Sequence, residues 1–342
     1  MSLEVMAAGV VLLGLIAYAV FGGADFGGGV WTALAAGPRA NDQRESIFRA
    51  MGPVWETNHV WIILVIVVLF TAFPPAFADL FTALFVPLSI ALVGIVFRGA
   101  AFAFRHYGDY AGAQLPATGF VFSVASILTP MALGMAVGAA AGGNVVIDDA
   151  GTVTSGLWEP WLRPFPFVCG GIAVAMCAFL TASFMTTRTT GLLREDFAAR
   201  GIAASVVLGA LTTLALPLAY LDADAFWDRI AHPAPVVMMA LAAMAGVSSL
   251  VVLWRRWYRL APPVAGATVA LVIGAWGAVQ YPYFILPGER ISDVAASDAT
   301  LRLLLISLPI GALVLIPSLA LLYWTFREPT GGPGAETEDA AY

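Results

Sequence analysis

Two short stretches of this chain place ionisable side chains inside otherwise apolar sequence. VFGGADFGGGVW carries Asp25 among Gly22, Gly23, Gly27, Gly28 and Gly29, and GPVWETNHVW sets Glu56, Asn58 and His59 between Trp55 and Trp61. The run IILVIVVL at 62–69 follows directly. An acid at the centre of a bilayer costs about 2.5–3.5 kcal/mol on insertion scales, so Asp25 must face protein or water. The glycines allow a second helix to approach closely. Asp25 therefore reads either as an interhelical hydrogen-bonding group or as a group that handles an ion or a proton. His59 lies three residues after Glu56, on the same side of a helix. It could hydrogen-bond Glu56, relay protons, or ligate haem or a metal, and the Trp55 indole N–H could donate to an acid. Arg98, in VFRGAAFAFRH, reads either as an interfacial anchor or as an ion-pair partner for an acid of the first two spans.

The rest of the composition says what must hold these residues. Of 342 residues, 60% are hydrophobic and 11% charged, with a mean hydropathy of +0.88; soluble domains carry about 25% charged residues. A polytopic all-α membrane protein follows. All 16 basic residues are Arg. Cys169 and Cys177 sit two helical turns apart in one apolar segment, too far to bridge, and read as packing residues. With Glu4 in place of a positive n-region, the first apolar segment reads as a retained helix rather than a cleaved signal peptide.

Segments of about 20 mostly apolar residues, the length of a span, occur at roughly 5–34, 50–73, 78–104, 117–140, 164–187, 201–221, 233–255, 263–286 and 302–326, nine in all. Residues 1–328 read as a single integral-membrane domain, and the Gly-rich, acidic 329–342 as a disordered tail. Alternate connections and the tail hold 12 of the 16 arginines, while the others are rich in Asp and Glu. The positive-inside rule then puts the N-terminus outside and the C-terminus in the cytoplasm. Asp25 lies ten residues before the end of its span, about 15 Å from the cytoplasmic side, and Glu56 seven residues past Arg49, about 10 Å deep. Two acids at similar depth in a low dielectric cannot both ionise cheaply. One is expected to hold its proton, which suits proton transfer from the cytoplasm.

GGADFGGGVW, GPVWETNHVWII, VFRGAAFAFR, TRTTGLL after the fifth span and QYPYFILP near the end recur together, in order, over about residues 5–326. In this the chain resembles subunit II of the cytochrome bd family of quinol oxidases. The resemblance implies two four-helix bundles plus a peripheral helix, in the bacterial cytoplasmic (inner) membrane, paired with a haem-bearing subunit I. It implies an enzyme complex that oxidises membrane quinol and reduces dioxygen to water, with two haem b and one haem d in subunit I and no haem or metal ligand in this chain. Protons would be taken from the cytoplasm while quinol releases its own outside, building a membrane potential without pumping. Asp25 and Glu56 fall on the family's proton-path positions, with His59 added and Trp55, Asn58 and Arg98 in support. The resemblance leaves room for a quinone held as a structural lipid and for small single-helix subunits; nucleic acid is not an expected partner.

The chain departs from well-known members at four places: Glu56 replaces Asp, His59 replaces Gln, and Gly22 and Ala103 stand where acids occur. The acid relay is correspondingly shorter. Two other readings use the same residues. An ion-coupled secondary transporter would show broken helices in repeated halves, but Pro130, Pro217 and Pro309 form no paired interruption. A purely structural assembly subunit would use Asp25 and Glu56 only to bond helices together.

Overall fold

A computed structural model describes residues 2–51, 57–110, 116–148 and 150–325. The helices are α1 (Leu3–Ala17), α2 (Gly23–Ala33), α3 (Ala40–Met51), α4 (Val60–Ala72), α5 (Pro74–Ala83), α6 (Phe85–Tyr110), α7 (Pro116–Gly142), α8 (Pro164–Arg188), α9 (Gly191–Asp222), α10 (Asp224–Ile230), α11 (Pro233–Trp254), α12 (Ala261–Gln280) and α13 (Asp298–Thr325). A two-stranded antiparallel hairpin, β1 (Tyr283–Ile285) and β2 (Glu289–Arg290), lies between α12 and α13. Among the described residues, eight helical segments are long and apolar enough to cross a membrane. The first is α1 and α2 joined by a π-turn at Tyr18–Gly22. The ninth apolar segment, Thr57–Ala72, has 16 residues, about 24 Å of helix. That is short of the ~30 Å hydrocarbon core, and its preceding five residues lie outside the described residues. So does the tail from residue 326.

Several element boundaries differ from the apolar runs, and proline explains most of them. Phe73 takes an extended φ of −141° before Pro74. This ends α4 and starts the separate helix α5, because the residue before proline avoids helical geometry while proline suits a first turn. The third span therefore starts at Phe85 rather than 78. Pro282 likewise forces Tyr281 to ψ 133°, so α12 stops at Gln280 and residues 283–285 form a strand instead of a last helical turn. Pro130, Pro217, Pro309 and Pro317 instead sit inside continuous helices.

Within a bilayer the hydrophobic effect does not pull helices together; close van der Waals packing and interhelical hydrogen bonds do. Helices α8, α9, α11 and α12 pack pairwise into a ring of four, and α2 and α7 pack on α8. In the apolar stretch of α8, 67% of the residues are buried, against 6% for α13, whose main helix contacts among the described residues are with α1 and α4. Helix α8 is thus the centre of the molecule and α13 its periphery. Contact with α8 depends on residues without a side chain: a methyl on Gly27 would overlap the Cys177 carbonyl and the Thr181 hydroxyl. The Trp31 indole donates to Ala178 O at 2.7 Å, and Thr181 Oγ1 to Ala24 O.

The two ends of the bundle are tied differently. On the arginine-rich face, Arg39 grips Asp196 through Nε (2.7 Å) and Nη2 (2.6 Å). Gln43 donates to the same carboxylate and accepts from Arg200. This fixes the amphipathic helix α3 on the start of α9. On the opposite face Arg163 pairs with Asp222 at 2.6 Å, and Leu286 N–H donates to Ala140 O at 3.0 Å, seating the hairpin on α7. There burial, with the Asp79 carboxyl alongside, pushes Glu289 up to about 8.

Two expectations follow. Gly27→Ala should lower the stability of the purified complex by about 1–3 kcal/mol, read as a lower unfolding midpoint, whereas Gly209→Ala, with nothing within 4 Å of its added methyl, should not. The folded hairpin holds a proton that the unfolded chain releases above the ordinary value of 4.5. Its contribution is complete below that value and is lost as pH rises to about 8. Amide exchange over 283–290, corrected for intrinsic rates, should therefore be faster at about pH 9 than at about pH 6, and Glu289→Gln should remove the difference.

Candidate functional site

The π-turn at Tyr18–Gly22 widens the first span by one residue just before Asp25. Such turns interrupt the regular ladder and recur at functional positions. Asp25 then points inward and is 5% exposed. It meets Asn58, which sits on the short 3₁₀ turn Thr57–His59 that opens α4. The Asn58 amide uses both of its N–H groups on the first span: one on Asp25 Oδ2 at 2.5 Å, the other on the Phe21 carbonyl at 3.3 Å. One side chain thus satisfies both the buried acid and a carbonyl of the π-turn.

Arg98 completes the charge arrangement. It comes from α6 and is only 1% exposed, so it does not anchor at an aqueous interface. Its guanidinium lies over the Phe26 ring at 4.8 Å and near Phe122 at 5.4 Å. Ring faces attract a cation. Phe26 is the residue after Asp25, so the two charged groups lie near one another, without a direct ion pair among the described residues. Arg98 Nε and Nη2 meet no protein acceptor among the described residues. Arg98 was expected as an interfacial anchor or as an ion-pair partner; here it is buried and makes no direct ion pair among the described residues.

His59 turns toward the same interior, its ring edge-to-face with Tyr18 at 6.3 Å. Glu56 and Trp55 lie outside the described residues. The structure therefore brings together Asp25, Asn58, His59 and Arg98 from three separate segments. It adds groups that the sequence did not single out. Tyr18 is buried, and its hydroxyl has no hydrogen-bond partner among the described residues. Ser126 and Thr129 of α7 are fully buried. Ser126 lies against Gly29, one turn beyond Asp25, and Thr129 against Gly94, one turn before Arg98. No feature of the sequence marked these hydroxyls; that Ser126 and Thr129 each face a glycine on a neighbouring helix is seen only in the structure. Among the described residues no group of three or more His, Cys, Asp or Glu side chains is placed to hold a metal ion.

A buried carboxyl, an amide that orients it and a guanidinium lying over two aromatic rings are thus gathered in one interior. A model of the cytochrome bd terminal oxidase subunit II matches residues 3–326. The chain belongs to that family. It is a multi-pass membrane subunit of a bacterial cytochrome bd quinol oxidase, and its partner is subunit I of that oxidase. It is 24% identical over 322 residues to cytochrome bd ubiquinol oxidase subunit 2 of Bacillus subtilis, covering 90% of each chain. It is 27% identical over 179 residues to cytochrome bd-I ubiquinol oxidase subunit 2 of Escherichia coli, a match spanning 52% of this chain and 46% of that one. The fold is similar to a chain in the structure of the bd oxidase from Geobacillus thermodenitrificans, with a TM-score of 0.80, 23% identity and coverage of 95% and 99%.

Asn58→Leu keeps the volume but strands the buried acid, and should destabilise the complex by about 1–3 kcal/mol. Repeating the change on an Asp25→Asn background should cost measurably less in thermal unfolding, as expected of two groups in direct contact.

Proposed function

We propose that this subunit delivers protons from the cytoplasm toward the oxygen-reduction site of subunit I, and that it stabilises that subunit. The observation that carries this reading is Asp25: a carboxyl buried in a membrane-spanning helix, oriented by Asn58 and followed by Phe26, whose ring carries the Arg98 guanidinium. The supporting orientation is N-terminus outside and C-terminus cytoplasmic, with the spans as two four-helix bundles plus peripheral α13. The closed ring of α8, α9, α11 and α12 and the sparse contacts of α13 favour that arrangement.

Glu56 would collect protons at the cytoplasmic end and Asp25 would pass them inward. Asn58 holds the Asp25 carboxyl in one orientation. The Arg98 nitrogens that meet no protein acceptor offer donors to water, and the hydroxyls of Tyr18, Ser126 and Thr129 line the interior nearby. His59 would relay protons beside them or steady Glu56. Haems held by subunit I, two of type b and one of type d, would supply the reduction of dioxygen by electrons from membrane quinol. Because protons arrive from one side only, turnover would build proton-motive force.

A structural reading also has an observation in its favour, since the Asn58–Asp25 bond ties two segments together. Oxygen uptake by purified Asp25→Asn and Glu56→Gln complexes separates the two. The proton path predicts turnover lower by about a hundredfold with haem spectra intact, in the range typical of losing a proton-transfer group. Loss of haem together with subunit I would assign the pair to assembly, and unchanged uptake would remove that residue from the path.

A further inference from the structure

We infer that the loop joining α11 to α12, WRRWYRL at 254–260, binds the phosphodiester headgroup of an anionic phospholipid. A cavity of about 330 Å³ opens there, lined by Arg194, Arg256, Trp257, Tyr258, Arg259 and Leu260. A second, of about 320 Å³, shares Arg256 and Tyr258 and continues between α9 and α11 along Ile202, Leu253 and Trp254. The first is basic and aromatic. The second leads from it onto an apolar groove between two helices. A charged head beside an apolar groove is the shape of a lipid, and basic pockets between spans favour anionic headgroups.

The donors are placed for an anion. Arg194 lines the cavity, with its Nε on the Thr189 carbonyl at 2.8 Å and its guanidinium over Tyr258 at 5.4 Å. Arg259 has no ion-pair partner among the described residues. Arg256 approaches Glu195 at 3.2 Å, but both side chains are well exposed, at 68% and 48%. Glu195 is the one acid lining either cavity, against three arginines; neighbouring Asp196 is taken up by Arg39 and Gln43. Planar guanidinium groups match phosphate oxygens pairwise.

The backbone supplies an independent observation. Helix α11 ends in a two-bond cap: Trp257 N–H donates to Val252 O at 2.9 Å and Arg256 N–H to Leu253 O at 3.1 Å. The residue at the turn takes a left-handed conformation, and glycine is usual there. Here it is Arg256, with φ 60°, the only non-glycine residue with positive φ among the described residues. A side chain kept where the backbone favours none implies that the side chain is used. Trp254 and Trp257, 71% and 53% exposed, flank it. Exposed tryptophans at a span's end sit at headgroup level, which favours a lipid over a soluble phosphate.

The test is native mass spectrometry of the intact oxidase complex, titrated with phosphatidylglycerol or phosphatidylcholine, for wild type, Arg259→Gln and Arg256→Gly/Arg259→Gln. Arg256→Gly suits the local backbone, so the variant should assemble, and Arg259→Gln alone removes one exposed guanidinium. The site predicts that the double variant binds its first phosphatidylglycerol about tenfold more weakly or worse. The single variant should fall between, with phosphatidylcholine binding equal in all three. Equal phosphatidylglycerol binding by wild type and variants would overturn the site. Displacement of the lipid by millimolar inorganic phosphate would overturn the lipid assignment in favour of a soluble anion.

Discussion

The structure is organised around the need to keep a carboxyl and a guanidinium inside a membrane protein. Asp25 and Arg98 are each almost wholly buried. Either alone in hydrocarbon would be costly, and each lowers that cost for the other. Neither can do so without its neighbours. Asn58 holds the acid, Phe26 and Phe122 hold the cation, and the π-turn sets the phase at which Asp25 leaves its helix. Proximity without direct contact leaves Arg98 Nε and Nη2 without a protein acceptor among the described residues.

Glycine is what makes the arrangement sterically possible. Gly27 lets α2 lie on the Cys177 carbonyl of α8, and Gly29 lets it lie on Ser126 of α7. Both follow Asp25 on the same helix within about one turn. The residues that bring the helices together therefore also draw the acid away from lipid. The same economy appears in Asn58, whose two amide protons serve a backbone carbonyl and a carboxylate at once.

The two ends of the molecule do different work. The arginine-rich end is knitted by Arg39, Gln43, Asp196 and Arg200 into a firm contact of α3 with α9, and it also carries the loop 254–260 with guanidinium groups to spare. The opposite end is shaped by the hairpin and by Asp222, which serves Arg163 and the Phe165 amide. Charge sorted in this way is both a topological signal and a set of local contacts.

Sequence by itself determined the class of the protein, most of its spans and the family to which it belongs. Hydropathy and charge asymmetry are sums over many residues, so they survive ignorance of any one contact. It also named Asp25, Asn58, His59 and Arg98, because polar groups in apolar runs are conspicuous whatever they touch. Only the tertiary structure decided what these groups are to one another. Sequence left Arg98 between anchor and ion-pair partner; the structure buries it without a direct ion pair among the described residues. The π-turn has no composition signature, so the phase at which Asp25 leaves its helix and the place of Tyr18 were invisible. Ser126 and Thr129 look like ordinary residues of an apolar helix until Gly29 and Gly94 are found opposite them. Sequence records which residues have a polar atom; which of those atoms share a low-dielectric interior depends on helix phase and on the distances at which helices pack, and those are fixed only when all the helices are in place.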